Sequence, residues 1–86
     1  LRLQNNIKLR RLQAGDVEGA LRCTEDMLRL SPDSAPLWRE AGLMHHRLER
    51  IGAAIAAIER ALELEPAGES AHRLRALLEE LRNRLN

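Results

Sequence analysis

The 86 residues predict an all-α fold: an α-solenoid of two helix–turn–helix repeats plus a C-terminal capping helix. Three observations predict it. The stretches "EDMLRLSP" (25–32) and "ERALELEP" (59–66) both run as apolar helical segments into a proline, and Pro32 and Pro66 lie 34 residues apart. The same offset pairs Ala20 with Ala54, Leu21 with Ile55, Leu28 with Leu62, Leu30 with Leu64 and Leu9 with Leu43. A gap-free period of that length is the spacing of a helix–turn–helix repeat. The third observation is compositional. Hydrophobic residues make up 44% of the chain, yet Trp38 is the sole aromatic. A core without Phe or Tyr must be built of Leu, Ile and Ala, which suits close-packed helices and not a β-sandwich.

Apolar residues recur at helical spacing over five segments, roughly 2–14, 17–30, 35–48, 52–64 and 69–85. Between the first two stands Gly15-Asp16. Gly15 can take the left-handed C-cap conformation, and Asp16 can cap the next helix with its carboxylate. Pro32 lacks the N–H that a helix needs, so it marks the exit from the second segment. Asp33 or Ser34 caps the third helix, with Pro36 tolerated in its first turn. The turn into the fourth helix is weaker. The period puts Glu49-Arg50 where Gly15-Asp16 stood, and neither residue favours a left-handed turn or an N-cap. Two outcomes stay open there: a closed turn, the expected one, or a continuous helix that would release 52–86 onto a second chain as a swapped dimer. Gly68 opens the connection to the last helix, with Leu74, Leu77, Leu78 and Leu81 as its inner stripe. The expected division is a degenerate repeat over 1–34, a full repeat over 35–68 and a capping helix over 69–86, all in one structural domain.

Residues 35–68 resemble the tetratricopeptide repeat (TPR), which wants Trp, Leu, Gly, Tyr, Ala, Phe, Ala and Pro at set spacings. Those places hold Trp38, Ala41, Gly42, His45, Ala54, Ile58, Ala61 and Pro66. The first repeat holds Gln4, Ile7, Lys8, Arg11, Ala20, Thr24, Met27 and Pro32, a degenerate version in which Gly15-Asp16 restores the typical turn. The resemblance implies that Gly42 faces Ala54 and Ala61 where two helices cross, and that His45 packs between helices in place of the tyrosine. A narrower resemblance concerns "LRLQNNIKLRRLQAGD". It is similar to the start of the C-terminal TPR segment in bacterial proteins with a transglutaminase-like N-terminal domain, with Asn5, Asn6, Ile7, Lys8, Gly15 and Asp16 matching. It implies a parent protein whose catalytic-type domain is not part of this chain.

The bulk numbers exclude several functions. With 14 Lys+Arg against 13 Asp+Glu, net charge +1 and one aromatic, the composition gives no case for nucleic acid, which calls for a concentrated basic face and often stacking aromatics. No apolar run approaches ~18 residues, so no membrane span is expected. Cys23 stands alone, which fits a reducing, cytoplasmic setting. The chain begins at Leu1 in mid-pattern and is read as a fragment. Its bias to Ala and Arg over a single lysine, Lys8, suggests a GC-rich bacterial genome. There is no phosphate loop, no Ser/His/Asp set and no metal-ligand spacing. His45 and His46 point about 100° apart on a helix and cannot share a metal. His72, in register with Trp38, is read as structural. Glu79-Glu80 beside Arg82 and Arg84 reads as a solvated face. No catalytic residue, cofactor or metal is therefore expected.

What remains is surface. TPR architecture implies that the first helix of each repeat lines a concave side. The 34-residue register then sets Leu9, Leu43 and Leu77 in one row and Asn5, Arg39 and Arg73 in a second. Leu12 and His46 form a third, with Gln13 and Arg47 beside them. This is a partly apolar groove with a cationic strip, and two readings stay open for it: an ordinary solvated surface, or a docking groove for an acidic or C-terminal peptide. The clamp by which some TPR co-chaperones grip a terminal carboxylate is not reproduced, since Leu9 occupies one of its asparagine places. The chain reads as a protein–protein interaction module, binding a partner or its own upstream domain. The alternative is an accessory or regulatory domain of a transglutaminase-like or protease-like enzyme. Self-association is expected through the first helix or by swapping.

Overall fold

The computed structural model describes residues 2–85, with side chains from residue 6 onward. Five helices follow one another: α1 (Arg2–Gln13), α2 (Val17–Leu30), α3 (Ala35–Arg47), α4 (Ile51–Leu64) and α5 (Glu69–Leu85). Each packs chiefly on the next in sequence, and the α3–α4 pairing is the most extensive. This is the all-α solenoid that the period implied.

The repeat is visible in the helix ends. α2 stops at Ser31, whose N–H donates to the Met27 carbonyl at 2.9 Å; α4 stops at Glu65, whose N–H donates to the Ala61 carbonyl at 3.0 Å. The two C-caps have nearly the same backbone, φ −136° and ψ 69° against φ −141° and ψ 79°. In each case the next residue is the proline, which has no N–H to continue the ladder.

The two tight turns match as closely. Gly15 has φ +81° and is followed by Asp16 at φ −87°, ψ 75°; Glu49 has φ +59° and is followed by Arg50 at φ −93°, ψ 75°. The α3–α4 turn is therefore closed. The chemistry differs. Asp16 Oδ1 accepts from the Gly19 N–H at 2.9 Å, and Arg11 pairs with its other oxygen at 2.9 Å. The Gly19 N–H first, then Arg11, holds the Asp16 carboxyl below the usual range. Arg50 caps nothing with its side chain. Glu49 is the sole non-glycine with positive φ among the described residues. A side chain in that region costs roughly 1–2 kcal/mol.

Two apolar clusters share Trp38. One holds Ala20, Leu21, Leu28, Ala41, Met44 and Ala57, with Leu12 and Leu48 packed against it. The other holds Ala54, Ile58, Ala61, Leu74, Leu78 and Leu81. The Trp38 Nε1–H donates to the Pro32 carbonyl at 2.8 Å, tying α3 to the loop it leaves. Gly42 is buried at the α3–α4 crossing. A Cβ built there would lie 2.7 Å from Ile58 Cγ1 and 3.5 Å from the Ala54 carbonyl. The expectation of Ala54 and Ala61 is thus corrected in part: the nearest side chain is Ile58, because a close crossing brings the bulkier ridge over the gap left by glycine.

Among the described residues, one inner residue is charged. Lys8 occupies the place equivalent to Gly42 in the first repeat, and its side chain is 6% exposed. Its Nζ donates to Glu40 Oε2 on α3 at 2.6 Å. A buried ammonium needs such a partner. His72, read above as structural, is instead exposed on α5. One turn further on, Arg75 donates to the Pro66 carbonyl.

Candidate functional site

Arg39 and Leu43 stand one turn apart on α3. Ser70, Arg73, Leu74 and Leu77 stand on successive turns of α5. These six line one cavity of about 320 Å³. The 34-residue offset that pairs Arg39 with Arg73 and Leu43 with Leu77 in the sequence thus puts them on neighbouring walls. Leu43 remains 40% exposed, an apolar surface left in water beside two guanidinium groups. Arg73 also pairs with Glu69 at 3.2 Å, both side chains well exposed. Arg39 has no ion pair among the described residues. An exposed pair such as Arg73–Glu69 is worth little and opens readily. The site can therefore offer two cations, a serine hydroxyl and an apolar floor.

The rest of the expected groove is not gathered into this cavity. Leu9 is 52% exposed on α1, 34 residues before Leu43. Leu12 is half-buried, packs against the α2–α3 cluster and does not line this cavity. Its neighbours in the register do not reveal this, because α1 alone shows no clear apolar side. His46 is half-buried and Arg47 exposed, both outside the cavity. Asn5, and Leu3 in the first helix, lie outside the residues whose side chains are described. Sequence reasoning missed Ser70 and Leu74 as lining residues. The signal was present in the helical spacing of Ser70, Leu74 and Leu77, but Leu74 reads as core from the same pattern.

A larger cavity of about 520 Å³ opens on the other side, between α2 and α4 with α3 as its floor. Glu25 and Leu28 form one wall, Ala53 and Ala56 the other, and Trp38 and His45 the base. The alanines on α4 leave it shallow in chemistry. His45 Nδ1 is buried there without a hydrogen-bond partner. Burial pushes the His45 pKa down, against the pull of Glu25, and Arg50 lowers it further. Arg29, also at this cavity, is already paired with Asp26 at 3.2 Å.

Among the described residues, no group of three or more His, Cys, Asp or Glu side chains is placed to hold a metal ion. No described helix is long and apolar enough to cross a membrane. Cys23 is half-buried and free.

Five short helices, small residues at the crossing and a cationic apolar cleft between alternate helices define a helical-repeat scaffold. The tetratricopeptide repeat family model matches residues 7–79, so the chain belongs to the tetratricopeptide repeat family. Repeats of this kind generally mediate protein–protein interaction, and the fold is typically non-catalytic. No curated protein matches the chain.

Proposed function

We propose that the face carried by α1, α3 and α5 binds an extended, acidic segment of a partner protein. The observation that carries this is the cleft in which Arg39 and Arg73 flank Leu43, Leu74 and Leu77. An aliphatic side chain of the partner fills the apolar floor, and a neighbouring carboxylate meets the guanidinium groups, with Arg39 the freer of the two. Leu9 extends the same apolar row onto α1. The units doing this are taken as a degenerate repeat (1–34), a repeat (35–68) and a cap (69–86). Titration with acidic and basic peptide pools tests the reading. Acidic peptides should bind with salt-sensitive affinity, and Arg39→Glu should weaken them. Equal binding of both pools would overturn it.

A second reading makes the chain an accessory module beside a transglutaminase-like or protease-like catalytic domain in a bacterial, cytoplasmic parent. The Asn5–Asp16 resemblance favours it, together with Ile7 and Leu9, which are 36% and 52% exposed on α1. A preceding domain would cover those side chains; a second copy could do so too. A Cys, His and Asp set encoded upstream of Leu1 would support this reading, and further repeats there would oppose it.

A further inference from the structure

The α3–α4 turn has the backbone of the Gly15-Asp16 turn and none of its chemistry. At the first site a glycine takes the left-handed residue and an aspartate caps the next helix. At the second, Glu49 holds φ +59° and Arg50 offers no cap. Two ion pairs hold this turn to its neighbours: Glu49 to Arg84 at 2.9 Å and Arg50 to Glu18 at 3.1 Å. All four side chains are substantially exposed, so these pairs offset little of the local cost. From His45 to Leu64 the segment contains no proline and a single glycine, Gly52. The remainder is largely Ala, Leu, Ile, Glu and Arg, which tolerate or favour a continuous helix.

We propose that this turn is a domain-swapping hinge and that the partner is a second copy of this chain. When residues 48–50 turn helical, α3 and α4 fuse into one helix of about 30 residues, roughly 45 Å long. α4 and α5 then leave their own α1–α3 and pack on those of the other copy. The extensive α3–α4 pairing, with Ile58 against Gly42, is lost within one chain and remade between two. Each chain sheds one strained residue and gains a continuous hydrogen-bond ladder, with Gly52 working against it. Opening requires the α3–α4 interface to come apart, so closed monomer and swapped dimer exchange slowly and can be separated.

The test refolds the 86-residue chain from denaturant at ~1 mM, well above a dissociation constant on the order of 100 μM. Size exclusion with light scattering should show a monomer and a dimer, and the isolated dimer should persist for hours after dilution. A covalent reporter shows which elements exchange. Arg60 on α4 comes within 3.8 Å of Asp33 in the loop before α3. With Cys23→Ser removing the native thiol, Asp33→Cys and Arg60→Cys joined by a short bis-maleimide should link within the monomer and between chains in the dimer. A dimer formed through α1 would keep that link within each chain. Glu49→Gly with Arg50→Asp copies the first turn and should weaken the dimer about 100-fold, tenfold (about 1.4 kcal/mol) for each of its two hinges. No dimer after concentrated refolding, a dimer that dissociates at once on dilution, links confined to single chains, or a dimer indifferent to the Gly-Asp turn would each overturn the proposal.

Discussion

Gly42 sets how closely α3 and α4 approach, and Gly42→Leu measures what that approach is worth. A Cβ at this position meets Ile58 Cγ1 at 2.7 Å, and Ile58 is fully buried. Ordinary carbon contact begins near 3.5 Å, so Ile58 or the helix itself must retreat by roughly 1 Å. The Ile58 amide nitrogen, 3.4 Å from the same Cβ, limits any shift of the helix toward α3. Forced rearrangement in a packed core costs roughly 1–3 kcal/mol. Leucine returns somewhat under 1 kcal/mol of helix propensity relative to glycine. The further carbons of leucine must also be fitted at this buried crossing, which places the expected net loss at about 2 kcal/mol. In a chain of this size that lowers Tm by roughly 8–16 °C. Urea unfolding followed by helical circular dichroism and by Trp38 fluorescence reads it directly. Gly42→Ala should lose less, since propensity offsets much of the clash. Combined with Ile58→Ala in a stabilising osmolyte, it should lose at least about 1 kcal/mol less than the sum of the single variants, because the atom it strikes is gone. An unchanged midpoint for Gly42→Leu, or strict additivity in the cycle, would show that the helices are not held apart by this contact.

Two further expectations concern charge. Glu40→Gln leaves the Lys8 ammonium in its buried place with a neutral partner, and should cost roughly 1–3 kcal/mol in urea unfolding; a change under about 0.5 kcal/mol would deny the Lys8–Glu40 pair a structural role. Burial lowers the His45 pKa in the folded chain, so between that value and the unfolded one of about 6.5 the unfolded state binds more protons. Stability from this residue is complete above about pH 6.5 and falls as the pH drops toward the folded value. His45→Leu should flatten the dependence of Tm on pH between about 7 and 5, and an unaltered slope would assign it to other groups.

The sequence by itself determined the helices and, everywhere but at the α3–α4 turn, where they stop, because those instructions are local. Pro32 and Pro66 lack an N–H, Asp16 and Ser34 carry short acceptors for the first-turn amides, and Gly15 accepts a positive φ without strain. The period of 34 then implied that each helix packs on the next. Tertiary structure alone decided the rest. At Glu49 the local signals are neutral or adverse, and the turn closes because packing of α3 on α4 outweighs a strained residue and a missing cap. Lys8 stands where a small residue belongs, and only the approach of Glu40 from another helix allows its burial. In the groove, register placed Arg39 with Arg73 and Leu43 with Leu77, since a repeat carries equivalent positions onto one face. It could not pack Leu12 against the α2–α3 cluster or bring Ser70 and Leu74 to the cavity wall. Those depend on the rotation of each helix against its neighbours, a property of the summed contacts and of no single stretch of chain.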